Sequence, residues 1–392
     1  MLVSRVVIAV VVLLLVVAAA LFAVGWVFSG RVIVPAAYSL MPEFEIVAAD
    51  DGAGEAGGSY TVTLPLTPDP KQHADTEVKG VYSLLWEGGY GRLGEVLSAD
   101  DAKVTRELDE VIGSAPLGGA PARIDNFVYR RDPLADFGIP FEELSLAGES
   151  GPLKAWYVPG AGRTAVLLLH GRRRGELIET LRMIEPLHEL GFDVLALAYR
   201  NHDASAASDD GLYHYGASEW RDAHVAASEL TARGADRVVI YGLSMGGAVA
   251  LEALERWTAE LPEPVGVILD SPLVDPYATV ELGAVKAGLP MPRQLTNLAL
   301  LVAGWRTGVD FPDLRQAERA ATIPVPLMVI AGVEDTTVPI AAVDEFTAAV
   351  RTPLTYIRLE GVEHVEAWNH DPLAYREQLR AFMASLEVRA TR

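Results

Sequence analysis

The chain has 392 residues, half of them hydrophobic, and carries 53 Asp and Glu against 32 Lys and Arg, a formal net charge of −21 at pH 7. It is long and apolar enough to bury a sizeable core, and its acidity argues against a nucleic-acid partner, which selects for basic faces. With no cysteine there is no disulfide, zinc-thiolate site or thiol nucleophile, an absence that leaves the redox compartment open.

The first element is residues 6–28, "VVIAVVVLLLVVAAALFAVGWVF", which contain no charge. As a helix rising about 1.5 Å per residue this stretch reaches roughly 34 Å, against a hydrocarbon core of about 30 Å. A cleavable signal peptide is the competing reading, because residues 18–20 are small alanines. The run exceeds the roughly 7–15-residue core of such a peptide and continues past those alanines, so a retained transmembrane anchor is expected. Arg5 on one side and Arg31 on the other barely decide orientation by the positive-inside rule. The short stub, residues 1–5, favours a cytoplasmic N-terminus, with the body of a single-pass cell-membrane protein outside the cytoplasm.

Residues 29–131 read as a linker and a small β-rich accessory region. The segment 50–59, "DDGAGEAGGS", has the composition of a flexible, solvated loop. The runs "YTVTLPL", "GVYSLLW" and "RIDNFVY" lean towards strands between Gly and Pro clusters. No repeat and no catalytic constellation occurs there, which leaves packing on the main domain or spacing it from the membrane.

From residue 132 to 392 the rhythm changes. "EELSLAGESGPLKAWYV" predicts a hairpin, and then "TAVLLLHG", "DVLALAYR", "RVVIYGLS", "VGVILDSP", "PLMVIAGVED" and "LTYIRLEG" alternate with helical stretches. Continuous apolar strands joined by helix-length segments predict a mostly parallel sheet with helices on both faces. Ligands of such sheets sit beyond the carboxyl ends of the strands, so the residues just after each strand are the candidates for chemistry.

After "RVVIY" the chain reads Gly242-Leu243-Ser244-Met245-Gly246, a G-x-S-x-G pattern, with Ala250, Ala253, Leu254 and Trp257 following at helical spacing. The pattern alone is weak, but between a strand and a helix it presents a serine hydroxyl on a strained, exposed turn. The bland alternative is a helix-capping serine. A serine hydroxyl needs a base, and His364 in "EGVEH" directly follows the last predicted strand; otherwise it is a surface-loop histidine. The base needs a carboxylate to hold its tautomer. Asp335 in "GVEDTTVP" lies between serine and histidine in chain order, and Asp270 after "VGVIL" is its rival. Oxyanion donors are expected from the backbone N–H of Met245 and, in "LLLHGRRRG", of Arg172. The run Arg172, Arg173, Arg174 either attracts an anionic substrate group or pairs with solvent and surface carboxylates.

Through "LLLHG", "LALAYR", "YGLSMGG", "LDSP", "GVEDTTVP" and "EHVEAW" the chain resembles the α/β-hydrolase superfamily, over roughly residue 142 to the C-terminus, and within it the membrane-anchored branch that includes the Bem46-like hydrolases. The resemblance implies Ser244 as nucleophile, Asp335 as acid, His364 as base, and Met245 and Arg172 as oxyanion donors. The long connection 275–321, where "AVKAGLPMP" and "NLALLVAGW" are apolar enough to cover the strand ends, reads as a helical cap, and the loop over 201–215 reads either as another wall or as a solvated surface turn. The arginine run departs from the small or apolar residues of many relatives at that place. The implied activity is that of a membrane-tethered serine esterase or lipase, acting on a small-molecule or lipid-like ester with no metal or organic cofactor. A peptidase, amidase or thioesterase on the same residues is the alternative within enzymes, and a non-catalytic surface scaffold the alternative outside them. All three triad positions are filled, which argues against the scaffold.

Overall fold

A computed structural model describes residues 2–35, 41–51, 60–66, 76–172, 176–202 and 204–390. Most of the linker expected over 50–59 lies outside the described residues, as do Arg173, Arg174 and Asp203. The chain divides into two compact units, one of residues 1–36, 141–177 and 191–365, the other of residues 37–140, 178–190 and 366–392.

The first unit opens with α1 (Leu2–Ile33), in which Val7–Ile33 is long and apolar enough to cross a membrane, and whose most apolar window is wholly exposed. Uniformly apolar side chains on every face of a helix suit lipid rather than a protein groove.

The second unit contains a seven-stranded antiparallel sheet: β1 (Phe44–Glu45), β2 (Ala48–Asp51), β3 (Tyr60–Pro65), β4 (Tyr82–Trp86), β5 (Gly89–Ala99), β6 (Lys103–Gly113) and β7 (Pro121–Asp125), in the order β1-β7-β4-β5-β6-β3-β2. Val62, Leu64, Leu84, Leu93, Val104 and Leu108 fill one face, as period-2 alternation requires. The long strands β5 and β6 carry alternating charges and helix-forming residues, and their pairing shifts register three times; that bulged pattern hid them from the sequence. A short helix α2 (Pro133–Phe137) follows, capped by the Asp132 carboxylate. The same unit holds residues 178–189 of α3 (Leu177–Glu189), with α9 (Ala367–His370) and α10 (Pro372–Ala390). Asn369 ties these to the sheet by donating to the carbonyls of Val81 (2.7 Å) and Asn126 (2.9 Å) while accepting from Arg182 (2.6 Å).

The first unit's sheet has eight strands: β8 (Glu142–Gly148), β9 (Gly151–Val158), β10 (Thr164–Leu169), β11 (Asp193–Leu197), β12 (Arg237–Leu243), β13 (Glu263–Asp270), β14 (Leu327–Gly332) and β15 (Leu354–Leu359). Their order is β15-β14-β13-β12-β10-β11-β9-β8, parallel from β15 to β11, with the β8–β9 hairpin antiparallel at one edge. β10, β11 and β14 are buried at every position, which is why they read as unbroken apolar runs. Helices α4 (Trp220–Ala232), α5 (Met245–Glu255), α6 (Pro276–Lys286), α7 (Pro292–Thr307) and α8 (Ile340–Ala349) join the strands. The fold class is the one the sequence predicts: a mostly parallel sheet wound with helices, a separate small antiparallel sheet, and one apolar N-terminal helix. Strand order reverses direction around β10, so the crevice beyond the ends of β10 and β12 is where such a sheet binds ligands.

Candidate active site

Ser244 sits between β12 and α5 with φ 51° and ψ −114°. A non-glycine residue in this sparsely populated region is strained and persists only where its surroundings dictate it. Here its N–H donates to the Asp270 carbonyl (2.9 Å), and its own carbonyl accepts from Gly247 (2.9 Å) and Leu273 (3.0 Å). The flanking glycines are required by contact. A Cβ on Gly242 would lie 2.4 Å from the Gly246 carbonyl oxygen, and one on Gly246 only 2.1 Å from the carbonyl of Leu169 and 2.5 Å from that of His170. The start of α5 is therefore pressed against the end of β10.

Two other strand ends converge on this serine. His364, beyond β15, places Nε2 2.8 Å from Ser244 Oγ and Nδ1 2.6 Å from Asp335 Oδ2, beyond β14. A carboxylate can only accept, so Nδ1 carries the proton and Nε2 is left to accept the serine hydroxyl. The other carboxylate oxygen of Asp335 accepts from the backbone N–H groups of Thr337 and Val338, both at 2.8 Å. The imidazole's partner is thus Asp335; the rival Asp270 is buried beneath Ser244, and its carboxylate accepts from the Ser271 hydroxyl (3.1 Å).

Residues that sequence reasoning passed over hold this arrangement. Ser271 Oγ accepts from the Val365 N–H (3.0 Å), next to His364. Val365 itself is held at φ 59°, a costly value for a β-branched residue. Glu363 accepts from the N–H and the hydroxyl of Thr336, each at 3.0 Å, joining the loop of His364 to that of Asp335. The quoted motifs "LDSP" and "EGVEH" contain both residues, but nothing in one sequence pairs them.

Met245 opens α5, so its N–H is one of those at a helix N-terminus without an intrahelical acceptor. Arg172 follows His170-Gly171 at the end of β10. Of the arginine run only Arg172 is among the described residues, and its guanidinium donates to the carbonyls of Arg31 and Val32, each at 2.8 Å, at the end of α1. Tyr215 donates its hydroxyl to the same Val32 carbonyl, and the Tyr213 N–H donates to that of Ile33 (2.8 Å). The Tyr213 hydroxyl in turn donates to the Arg172 carbonyl (3.1 Å). Carbonyls at a helix end need partners outside the helix, and the loops beyond β10 and β11 supply them.

Behind this loop His170 is fully buried, stacked on Tyr199 at 4.4 Å between ring centroids, with Nδ1 2.7 Å from the Gly171 carbonyl. Burial, and secondarily the neighbouring His202, hold its pKa well below the ordinary histidine value of 6.5. Among the described residues no group of three His, Asp or Glu side chains is placed to hold a metal ion.

The family model described as "Alpha/beta hydrolase family" matches residues 166–389, more than half of the chain, and one described as "Domain of unknown function (DUF8805)" matches residues 45–125. An uncharacterized Mycobacterium tuberculosis protein, Rv2307c, is 28% identical over 243 residues, 60% of this chain and 76% of that one. The uncharacterized protein YfhR of Escherichia coli is 24% identical over 271 residues, 67% of this chain and 85% of that one. Among solved structures, the Pyrococcus furiosus esterase Pf2001 aligns with a TM-score of 0.53 at 21% identity, over 66% of this chain and 94% of that chain, a likeness of fold.

Proposed function

The chain belongs to the α/β-hydrolase family, and on that premise we propose that it is a membrane-tethered serine hydrolase of esterase type. Ser244 Oγ attacks the ester carbonyl as His364 Nε2 takes its proton, which then passes to the departing alkoxide; water hydrolyses the acyl-enzyme by the same proton route. Asp335 holds the imidazole's tautomer and steadies its charged form. The N–H groups of Met245 and Arg172 stabilise the oxyanion. One observation carries the reading: an unbroken chain of hydrogen bonds from Asp335 through His364 to a strained Ser244, at 2.6 and 2.8 Å.

The proposal extends to a Bem46-like, single-pass cell-membrane protein anchored by α1, with its body outside the cytoplasm. Residues 132–392 form the hydrolase domain, residues 275–321 its cap, and the substrate is a small-molecule or lipid-like ester. An exposed apolar helix of transmembrane length supports the anchor.

The test is covalent labelling by a fluorophosphonate together with hydrolysis of short p-nitrophenyl acyl esters. Wild-type protein is expected to label and turn over, and Ser244→Ala to do neither while staying folded and membrane-bound. A wild-type protein inert to the probe and to esters, thioesters and amides overturns the reading.

A further inference from the structure

α7 packs against the last turns of α1. Gly25 of α1 meets Val302 so closely that a Cβ there would lie 2.7 Å from Val302 Cγ2, the small-residue contact by which helices approach in a membrane. Trp305 packs its ring edgewise on Phe22, with centroids 5.7 Å apart, and lies 6.2 Å from Trp26. Arg306 lies over the Trp26 ring at 4.2 Å and donates to the Ser29 hydroxyl (2.9 Å). These contacts fix the position of α7 along α1.

The depth of that contact follows from helix length. Counted from Val6, the first residue after Arg5, the roughly 20 residues that cross a hydrocarbon core end near Gly25 and Trp26. Tryptophan is the residue favoured at that boundary. Trp305 is thereby at headgroup level too, yet it is 70% exposed, and Leu301, one turn before it on the same helix row, is 71% exposed. Charge agrees: in a protein of net charge −21, residues 282–309 contain Lys286, Arg293 and Arg306 and no Asp or Glu. An apolar row flanked by cations suits a headgroup surface, whose phosphates attract the cations while the acyl chains take the apolar side chains.

The same end of α1 is held by Arg172, beside His170-Gly171. The α6–α7 hairpin itself begins five residues after Ser271, and the Leu273 N–H between them donates to the Ser244 carbonyl. The apolar row and the serine are thus tied to one end of one helix.

We propose that α7 is a second membrane-contacting element, with Leu301 and Trp305 seated among the lipids beside the end of α1, and that the enzyme takes acyl-lipid esters directly from that leaflet. The first half rests on reading α1 as an anchor, and the second on the serine-hydrolase reading.

The absence of cysteine makes site-directed labelling of the full-length protein straightforward. Leu301→Cys, Trp305→Cys and, at the opposite end of the strands, Glu263→Cys are each given a nitroxide in vesicles of phosphatidylcholine and phosphatidylglycerol. Labels at 301 and 305 are expected to collide more with oxygen than with a water-soluble nickel chelate, and the label at 263 the reverse. Chelate accessibility at 301 and 305 equal to that at 263 overturns the proposal, as does shielding from both reagents, the sign of a second protein copy on this face. In a second arm, Leu301→Asp/Trp305→Asp is expected to slow hydrolysis of a vesicle-dissolved acyl ester at least tenfold relative to a short soluble ester; an unchanged ratio overturns the claim about substrate entry. The collision measurement involves no catalysis, so it stands or falls separately from the role of Ser244.

Discussion

Arg172 donates through its guanidinium to the carbonyl of Val32 at 2.8 Å, so a residue of the loop beyond β10 caps the end of the apolar helix. The apolar helix is therefore bonded to the loop from which an oxyanion donor is expected. Arg172→Ala removes that bond while leaving the backbone N–H in place. We expect kcat for a soluble ester to fall about tenfold with KM little changed, as a loosened donor forfeits part of the roughly 10²–10³ attributable to an oxyanion group. Steady-state kinetics check this, and an unaltered kcat counts against the coupling.

Asp335 and Asp270 are separated by their partners. Asp335→Asn removes the carboxylate that keeps Nδ1 protonated, and kcat is expected to drop by roughly 10³–10⁴. Asp270→Asn leaves the His364 tautomer unaffected, and its loss is expected to be much smaller at matched folded fractions. Equal losses in both variants exclude the role given to Asp335.

Ser271 supports the histidine through the Val365 N–H. Ser271→Ala leaves that buried donor without its acceptor, a cost of about 1–3 kcal/mol. A lower midpoint in urea unfolding is expected, with reduced kcat. Ser271 is at φ 47°, so Ser271→Gly, which suits that backbone but also lacks the hydroxyl, should show the same kinetic loss as Ser271→Ala.

Gly246→Ala introduces a Cβ 2.1 Å from a backbone carbonyl. Backbone cannot yield as a side-chain tip does, so a loss of about 1–3 kcal/mol or more is expected. Denaturation curves near those of wild type contradict the close packing of α5 on β10.

His170 is buried and its pKa lies well below 6.5. The unfolded chain therefore binds a proton there at higher pH than the native protein does. Stability rises with pH wherever the unfolded state holds more protons, so it is full above 6.5 and declines as pH falls below that value. Urea unfolding at pH 7.5 and 5.5 should show this loss, and His170→Phe should lessen it; an identical decline in the variant assigns the effect to other groups.

Much of this protein is written locally. Strands such as "TAVLLL" and "LMVIAG" are legible because a strand buried on both faces has to be apolar throughout. The turn around Ser244 is legible because only glycine fits at 242 and 246. His364 and Asp335 stand out by following predicted strands, beyond whose carboxyl ends such sheets bind ligands. The β5–β6 pair was missed because its bulges and charges break the alternation that marks a strand.

Pairings across long sequence separations were decided only in three dimensions. Which carboxylate, Asp335 or Asp270, His364 meets depends on the strand end its loop packs against, and both follow the serine and precede the histidine in chain order. The support from Ser271 and Glu363 joins residues whose types carry no mark of a partner. Most of all, Arg172 in an arginine run looks like any solvated cation until α1 ends beside it. A hydrogen bond to a backbone carbonyl constrains only the donor's type, so the sequence records the arginine but not the helix end it holds.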